Sequence, residues 1–358
     1  MSRTVLIAGG GTGGHIFPGL AVAEELAAMG VAVHWLGARR GLEGTVVQGR
    51  KIPLTLVEIE GIRGRGAAAA ARAVTAMPAA VAAAIRLVLR IRPVAVLGVG
   101  GYASAAGVLA AGMLGVPWVL QEQNAVPGWT NRSLAPWADL ICCGFERAVA
   151  AFPSLPAEWS GNPVRAEFFQ IGPLVPHDPH TILVLGGSQG SLFLNRTVPR
   201  ALASVVRGGR PLAIRHQAGV RWEEVVRTAY RDLGLEAEVA AFLPEPWKAL
   251  EEADLVVARA GALTVSELAA AGRPSLLIPF AAAAGNHQEH NARSLEQAGG
   301  ARVLTESEAG ADRVARELDA LLADPAALAT MSTHARSLAL PGAARRIARR
   351  LLEIGGAA

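Results

Sequence analysis

His15 follows the glycine-rich run Gly9-Gly10-Gly11-Thr12-Gly13-Gly14 and precedes Pro18, a good helix-start residue. An imidazole there can remove a hydroxyl proton near neutral pH. The same spacing also suits a loop histidine that only caps or hydrogen-bonds. A second set runs Arg259-Ala260-Gly261-Ala262-Leu263-Thr264-Val265-Ser266-Glu267. A helix starting in it can receive a diphosphate on its unpaired N–H groups. Glu267, in or near the first turn, can take both hydroxyls of a ribose or simply oppose the helix dipole. Asn286-His287-Gln288 and Asn291 add amides, whose donors and acceptors suit sugar hydroxyls.

The elements that must hold these groups repeat. Val5-Leu6-Ile7-Ala8 runs into the first glycine turn, and Ile182-Leu183-Val184-Leu185 runs into Gly186-Gly187-Ser188-Gln189-Gly190-Ser191. A third turn, Gly98-Val99-Gly100-Gly101-Tyr102-Ala103-Ser104, and the polar run Gln121-Glu122-Gln123-Asn124 also end apolar runs. Strands are expected near 4–8, 31–36, 53–58, 94–98, 117–121 and 139–143, then near 181–185, 211–215, 237–242, 254–258, 274–278 and 301–304. Continuous apolar character suits parallel strands buried on both faces, and the strand–helix alternation gives two doubly wound α/β domains. Their expected bounds are 1–163 and 164–340, with a basic final helix in 341–358 packing back toward the first domain. The proline-rich stretch from Pro163 to His180 reads as a linker, and His177 and His180 in it lack an evident third metal ligand.

A length of 358 residues favours two cores. The only cysteines, Cys142 and Cys143, are adjacent and imply no disulfide framework. The N-terminus lacks a signal-peptide pattern. The uncharged stretch from Val94 to Gln121 is long enough to cross a bilayer, but Gly100-Gly101 and Pro117 divide it. Net charge is +4, yet the segment from Arg39 to Arg92 holds ten basic and three acidic residues, a local excess of +7. Such an excess points to an anionic partner surface; a nucleic acid is not expected. Val74, Met77, Val81, Ile85 and Val88 form one helical stripe, with Arg72, Arg86 and Arg90 nearly opposite. The stripe packs on the sheet, or the region docks on anionic lipid together with the basic loop carrying Arg63 and Arg65. The first turn fits GxGxxG through Gly9, Gly11 and Gly14, but the second strand ends in Gly37-Ala38-Arg39-Arg40 without the acid a dinucleotide ribose needs.

Taken together and in order, Gly10-Gly11-Thr12-Gly13-Gly14-His15, Gly100-Gly101-Tyr102, Glu122-Gln123-Asn124, Gly161-Asn162-Pro163-Val164-Arg165, Gly186 to Gly190 and Gly261 to Glu267 resemble the MurG family over nearly the full length. These are bacterial N-acetylglucosaminyltransferases. The resemblance implies a GT-B architecture, two doubly wound Rossmann-like domains facing a central cleft. It implies UDP-GlcNAc as donor, lipid I (undecaprenyl-pyrophosphoryl-MurNAc-pentapeptide) as acceptor, and a peripheral location on the anionic cytoplasmic membrane surface. By motif it implies that Ser188 and the Ala262–Thr264 backbone meet the diphosphate, with Val265 and Ser266 continuing that turn. Glu267 resembles the ribose-binding acid, and Leu243 a backbone contact to uracil. Asn124, Arg165 and Gln288 resemble donor-binding positions. Thr12, Gly13 and Gly14 resemble the acceptor side, and Tyr102 a substrate-binding position. Relatives often carry His where this chain has Gln121, and polar residues where it has the loop from Ala281 to Gly285.

An α-linked donor and a β-linked product mean inversion by one displacement. That needs a base for the acceptor hydroxyl, His15 or its rival Glu122, and stabilisation of the departing UDP. The chain has no Asp-x-Asp motif, so neither a metal nor another cofactor is expected. A UDP-GlcNAc 2-epimerase of similar build and a non-catalytic lipid-binding module are the alternatives.

Overall fold

The computed structural model of the chain describes residues 3–11, 13–39, 43–59, 66–187 and 189–356, without the side chains of 66–74 and 284. It divides into two compact units, residues 1–164 with 342–358, and residues 165–341.

The first unit carries β1 (Thr4–Ala8), β2 (Ala32–Ala38), β3 (Leu54–Val57), β4 (Ala95–Gly98), β5 (Trp118–Glu122), β6 (Leu140–Cys143) and β7 (Ala157–Trp159). They pair in the order β3-β2-β1-β4-β5-β6-β7, all parallel. The second unit carries β8 (His180–Leu185), β9 (Leu212–Gln217), β10 (Glu238–Ala240), β11 (Leu255–Ala258), β12 (Ser275–Leu277) and β13 (Ala301–Val303), in the order β10-β9-β8-β11-β12-β13, also parallel. Each order reverses beside its first strand. That places a crevice at the carboxyl ends of β1 and β4, and another at those of β8 and β11.

The apolar runs explain the strands. Val5, Leu6, Ile7 and Ala8 are all fully buried, as are Leu255 to Ala258. With both faces covered, neither run needs polar alternation. β7 was not expected from the sequence. It is a three-residue edge strand beside β6, half-buried at Ala157 and Glu158, and it carries no apolar run. The stretch once divided by Gly100-Gly101 and Pro117 is β4, the helix Tyr102–Met113 and β5. Among the described residues no helix is long and apolar enough to cross a membrane.

Two helices follow from their patterns. In Gly66–Ile91, Val81, Ala84, Leu87 and Val88 are buried against the first sheet, with Met77 and Ile85 packed beside them. The described part of the stripe is therefore core, while Arg86, Leu89 and Arg90 face outward. The last helix, Ala343–Ile354, buries Ile347, Ala348, Leu351 and Leu352 with Val5, Ile7, Ile16 and Leu20, so the chain's end belongs to the first unit.

The proline-rich stretch is not a free tether. Phe168 and Ile171 are buried, and Arg336 donates to the carbonyls of Ile171 and Gly172. His177 and His180 converge on the fully buried carboxylate of Asp254, which also accepts from Thr181 N at 2.7 Å. They brace the start of β8 against the turn before β11.

Candidate active site

At the carboxyl edge of the first sheet, β1, β4 and β5 deliver the first glycine turn, the third glycine turn and Glu122-Gln123-Asn124 side by side. His15 lies in the first turn of the helix Gly13–Ala28. Its Nδ1 is 3.3 Å from the carbonyl of Gly10. A carbonyl only accepts, so Nδ1 carries the proton and Nε2 keeps its lone pair. The ring rests against Gly100, where a Cβ would come within 3.1 Å of Nε2. Burial holds the imidazole below its ordinary range, opposed by the Gly10 hydrogen bond. The imidazole is thus oriented, with burial favouring its neutral form.

Most glycines here make room for the protein rather than for a ligand. A Cβ on Gly9 would strike Val99, and one on Gly101 would lie 2.7 Å from the carbonyl of Gly10. Gly11, with φ +100°, has open space around it.

Glu122 differs from His15. It is 1% exposed. One oxygen accepts from Asn124 N at 2.9 Å and Asn124 Nδ2 at 3.1 Å. The other accepts from Gly128 N and Asn131 Nδ2, both at 2.9 Å. Those four bonds occupy about all the lone-pair sites a carboxylate has. Burial raises its pKa and the four bonds oppose the rise. A carboxylate so engaged holds the loop from Asn124 to Asn131 in place and has no lone pair for a substrate proton. Asn124 is half-buried against it, and Tyr102 is the half-buried first residue of its helix. Gly13 and Gly14 open the helix that bears His15. Thr12 and Ser188 lie outside the described residues.

In the second unit, β8, β11 and β12 bring together the second glycine turn, Arg259 to Thr264 and Pro279 to Gln288. These line one hollow of about 650 Å³, with Gly187, Gly190, Arg259, Gly261, Thr264 and Gln288 in its wall. The helix Ala262–Ala271 begins after Gly261, which offers no side-chain cap. Its first N–H groups have no intrahelical partner, so it presents amide donors and positive dipole. The first intrahelical bond is Val265 N to the carbonyl of Gly261. Val265 is buried, and the Ser266 hydroxyl donates back to the carbonyl of Ala262 at 2.9 Å. The amides available to a diphosphate are thus those of Ala262, Leu263 and Thr264.

Glu267 lies just beyond the first turn, in the second, and the first turn holds no acid. Helix-dipole opposition is therefore not its task. Burial pushes its pKa up to about 7, with the Arg165 charge opposing. The Arg165 guanidinium stacks 4.5 Å from the Trp247 ring and 5.3 Å from Phe168. Gln288 spends its carbonyl on Ala260 N at 3.2 Å and Phe280 N at 3.0 Å, which leaves its amide N–H groups toward the hollow. Asn291 is a further correction. It is fully buried and donates to the carbonyl of Ala260, so it braces the loop instead of meeting sugar hydroxyls. Leu243 is half-buried in the loop after β10. Among the described residues no His, Cys, Asp and Glu cluster could hold a metal ion.

The glycosyltransferase family 28 N-terminal domain matches residues 5–142, and the family 28 C-terminal domain matches residues 181–347. A UDP-N-acetylglucosamine–N-acetylmuramyl-(pentapeptide) pyrophosphoryl-undecaprenol N-acetylglucosamine transferase of Pseudomonas paraeruginosa is 45% identical over 99% of both chains. The chain belongs to the MurG family of glycosyltransferases. The crystal structure of Acinetobacter baumannii MurG, 33% identical, superposes with a TM-score of 0.81 over 98% of this chain and 99% of its own. This is the GT-B type of fold. A UDP-N-acetylglucosamine 2-epimerase reaches a TM-score of 0.70 over 99% of this chain and 97% of its own, but at 14% identity it shares the fold alone.

Within this MurG-family chain, three residues at the two sites went unread in the sequence. Trp247 is a lone aromatic outside any periodic pattern, yet it holds Arg165. Glu306 pairs with Arg259 at 2.5 Å, while Arg259 also donates to Ser191 Oγ at 2.8 Å and to the carbonyls of Ile278 and Pro279. Glu43 is fully buried beneath the first glycine turn. Each is paired with a residue far away in sequence, so no local spacing signals it.

Proposed function

We propose that this chain is an inverting N-acetylglucosaminyltransferase that moves GlcNAc from UDP-GlcNAc to the MurNAc 4-hydroxyl of undecaprenyl-pyrophosphoryl-MurNAc-pentapeptide, converting lipid I to lipid II. The observation that carries this is the hollow of about 650 Å³, in which a glycine turn, an uncapped helix start and the amide of Gln288 meet. That volume and that donor set suit a nucleoside diphosphate sugar.

His15 Nε2 takes the proton of the acceptor hydroxyl as its oxygen bonds the anomeric carbon. The bond from that carbon to the β-phosphate oxygen breaks, and UDP leaves with the electron pair. The Ala262, Leu263 and Thr264 amides stabilise the negative charge growing on the diphosphate. Glu267 takes the ribose hydroxyls, and Leu243, Arg165 and Gln288 complete the donor site. Asn124, held by Glu122, is a further donor-binding residue; Gly13 and Gly14 serve the acceptor, and Tyr102 is a substrate contact.

The experiment is UDP release from UDP-GlcNAc with and without a lipid I analogue. Release should require the acceptor. Inversion at C2 of the sugar with no acceptor present would establish the epimerase reading instead.

The acceptor's lipid requires a membrane-facing surface, and we place it on the first unit, at the cytoplasmic face. Arg63 and Arg65 fall outside the described residues. Arg86, Leu89 and Arg90 are exposed. Met113 and Trp137, 69% and 71% exposed, flank an apolar groove of about 560 Å³ that includes Val108, Leu109 and Trp118. Exposed cations and exposed apolar side chains on the same unit suit an anionic bilayer. Each basic residue near such a surface contributes about 1 kcal/mol. Replacing Arg86 and Arg90 by alanine should therefore weaken binding to phosphatidylglycerol vesicles on the order of 30-fold, read by sedimentation. Binding should also fall as salt rises.

A further inference from the structure

We infer that Glu43 is the positioning residue of His15 and acts on it through a single peptide group. This rests on the reading of His15 as base. The carbonyl that accepts from His15 Nδ1 is that of Gly10, at 3.3 Å. The N–H of the same peptide belongs to Gly11, and it donates to Glu43 Oε1 at 3.0 Å. In a planar trans peptide the C=O and N–H point in opposite directions. Fixing the N–H on the carboxylate therefore aims the carbonyl at the imidazole. A charged acceptor on the N–H side also polarises the carbonyl, which strengthens the bond it accepts from Nδ1–H. The carboxylate thus selects the tautomer with a bare Nε2.

The surroundings are built for this contact. Glu43 Oε1 also accepts from Ala38 N at 3.0 Å, tying the glycine turn to the end of β2. A Cβ on Gly10 would lie 1.5 Å from Oε1, and one on Gly37 would lie 2.8 Å from Cγ. Both glycines make room for this side chain. Glu43 is 0% exposed, and among the described residues its Oε2 has no hydrogen-bond partner. The Gly10–Gly11 peptide connects this side chain to the imidazole.

The test begins with the native protein. Histidine 15N spectra, assigned with His15→Gln, should show neutral His15 protonated at Nδ1; a proton on Nε2 overturns the inference. In Glu43→Gln, which keeps the size but not the charge, His15 should move toward a mixture of tautomers. Turnover should fall on the order of 10- to 100-fold, the range for outer partners of a functional imidazole, while the KM for UDP-GlcNAc stays unchanged. In a His15→Ala background the same substitution should cost nothing more. A full additive loss there, or normal turnover in Glu43→Gln, overturns the inference while leaving His15 as base. Normal turnover in His15→Ala itself overturns the base assignment, and with it this inference.

Discussion

His15→Ala is expected to lower turnover by about 10²- to 10⁴-fold, the usual worth of a positioned general base, and to leave UDP affinity as it was. The reason is geometric. The imidazole is anchored in the first unit by Gly10 and Gly100, whereas the glycine turn, helix start and glutamine proposed to grip the diphosphate all belong to the second. Losing the imidazole therefore removes none of the proposed diphosphate contacts. Burial holds the His15 pKa below its ordinary 6.5. The base form therefore predominates at neutral pH, and kcat at saturating UDP-GlcNAc should decline only at pH values below 6.5, as the ring protonates. Stopped-assay kinetics and calorimetry with UDP check both halves. Unchanged turnover would transfer the role of base to another group. Glu122 is a poor candidate, because Asn124, Gly128 and Asn131 already occupy its oxygens.

Glu267→Ala should weaken UDP-GlcNAc binding by roughly 10- to 150-fold, the range for losing hydrogen bonds to a charged partner. The native protein should show a pH dependence that the variant lacks. Glu267 titrates at about 7, raised by burial against the pull of Arg165. In the proposed role, ribose hydroxyls donate to the ionised form. Above pH 7 the free carboxylate is ready. Below pH 7 binding must expel a proton, so affinity should fall about tenfold for each further unit of pH. Calorimetry between pH 5.5 and 8.5, repeated in buffers of different ionisation heat, would reveal that proton. A flat profile in the native protein would separate Glu267 from the ribose.

The strand ends were legible because burial on both faces of a parallel sheet leaves uninterrupted apolar runs, and glycine turns mark where each run stops. Val5 to Ala8 and Ile182 to Leu185 show this directly. β7 was illegible for the opposite reason, being a short edge strand that packs little. His15 was visible as a candidate because its own turn surrounds it. Which ring nitrogen keeps its lone pair depended on its Gly10 contact, which no spacing shows. Glu122 and Asn291 looked like ligand-facing polar residues at strand and helix ends, but their partners make them braces.

By itself, the sequence determined the two doubly wound units, the order of their glycine turns and the family to which the chain belongs. Those properties follow from local patterning and from motifs a few residues long. Tertiary structure alone decided which polar groups remain available for chemistry, because a lone pair or N–H is spent by whatever folds against it. Glu43 meets the peptide of Gly11 across 32 positions, and Asn162 reaches Gln121 across 41. Contacts of that separation leave no periodic trace in the chain.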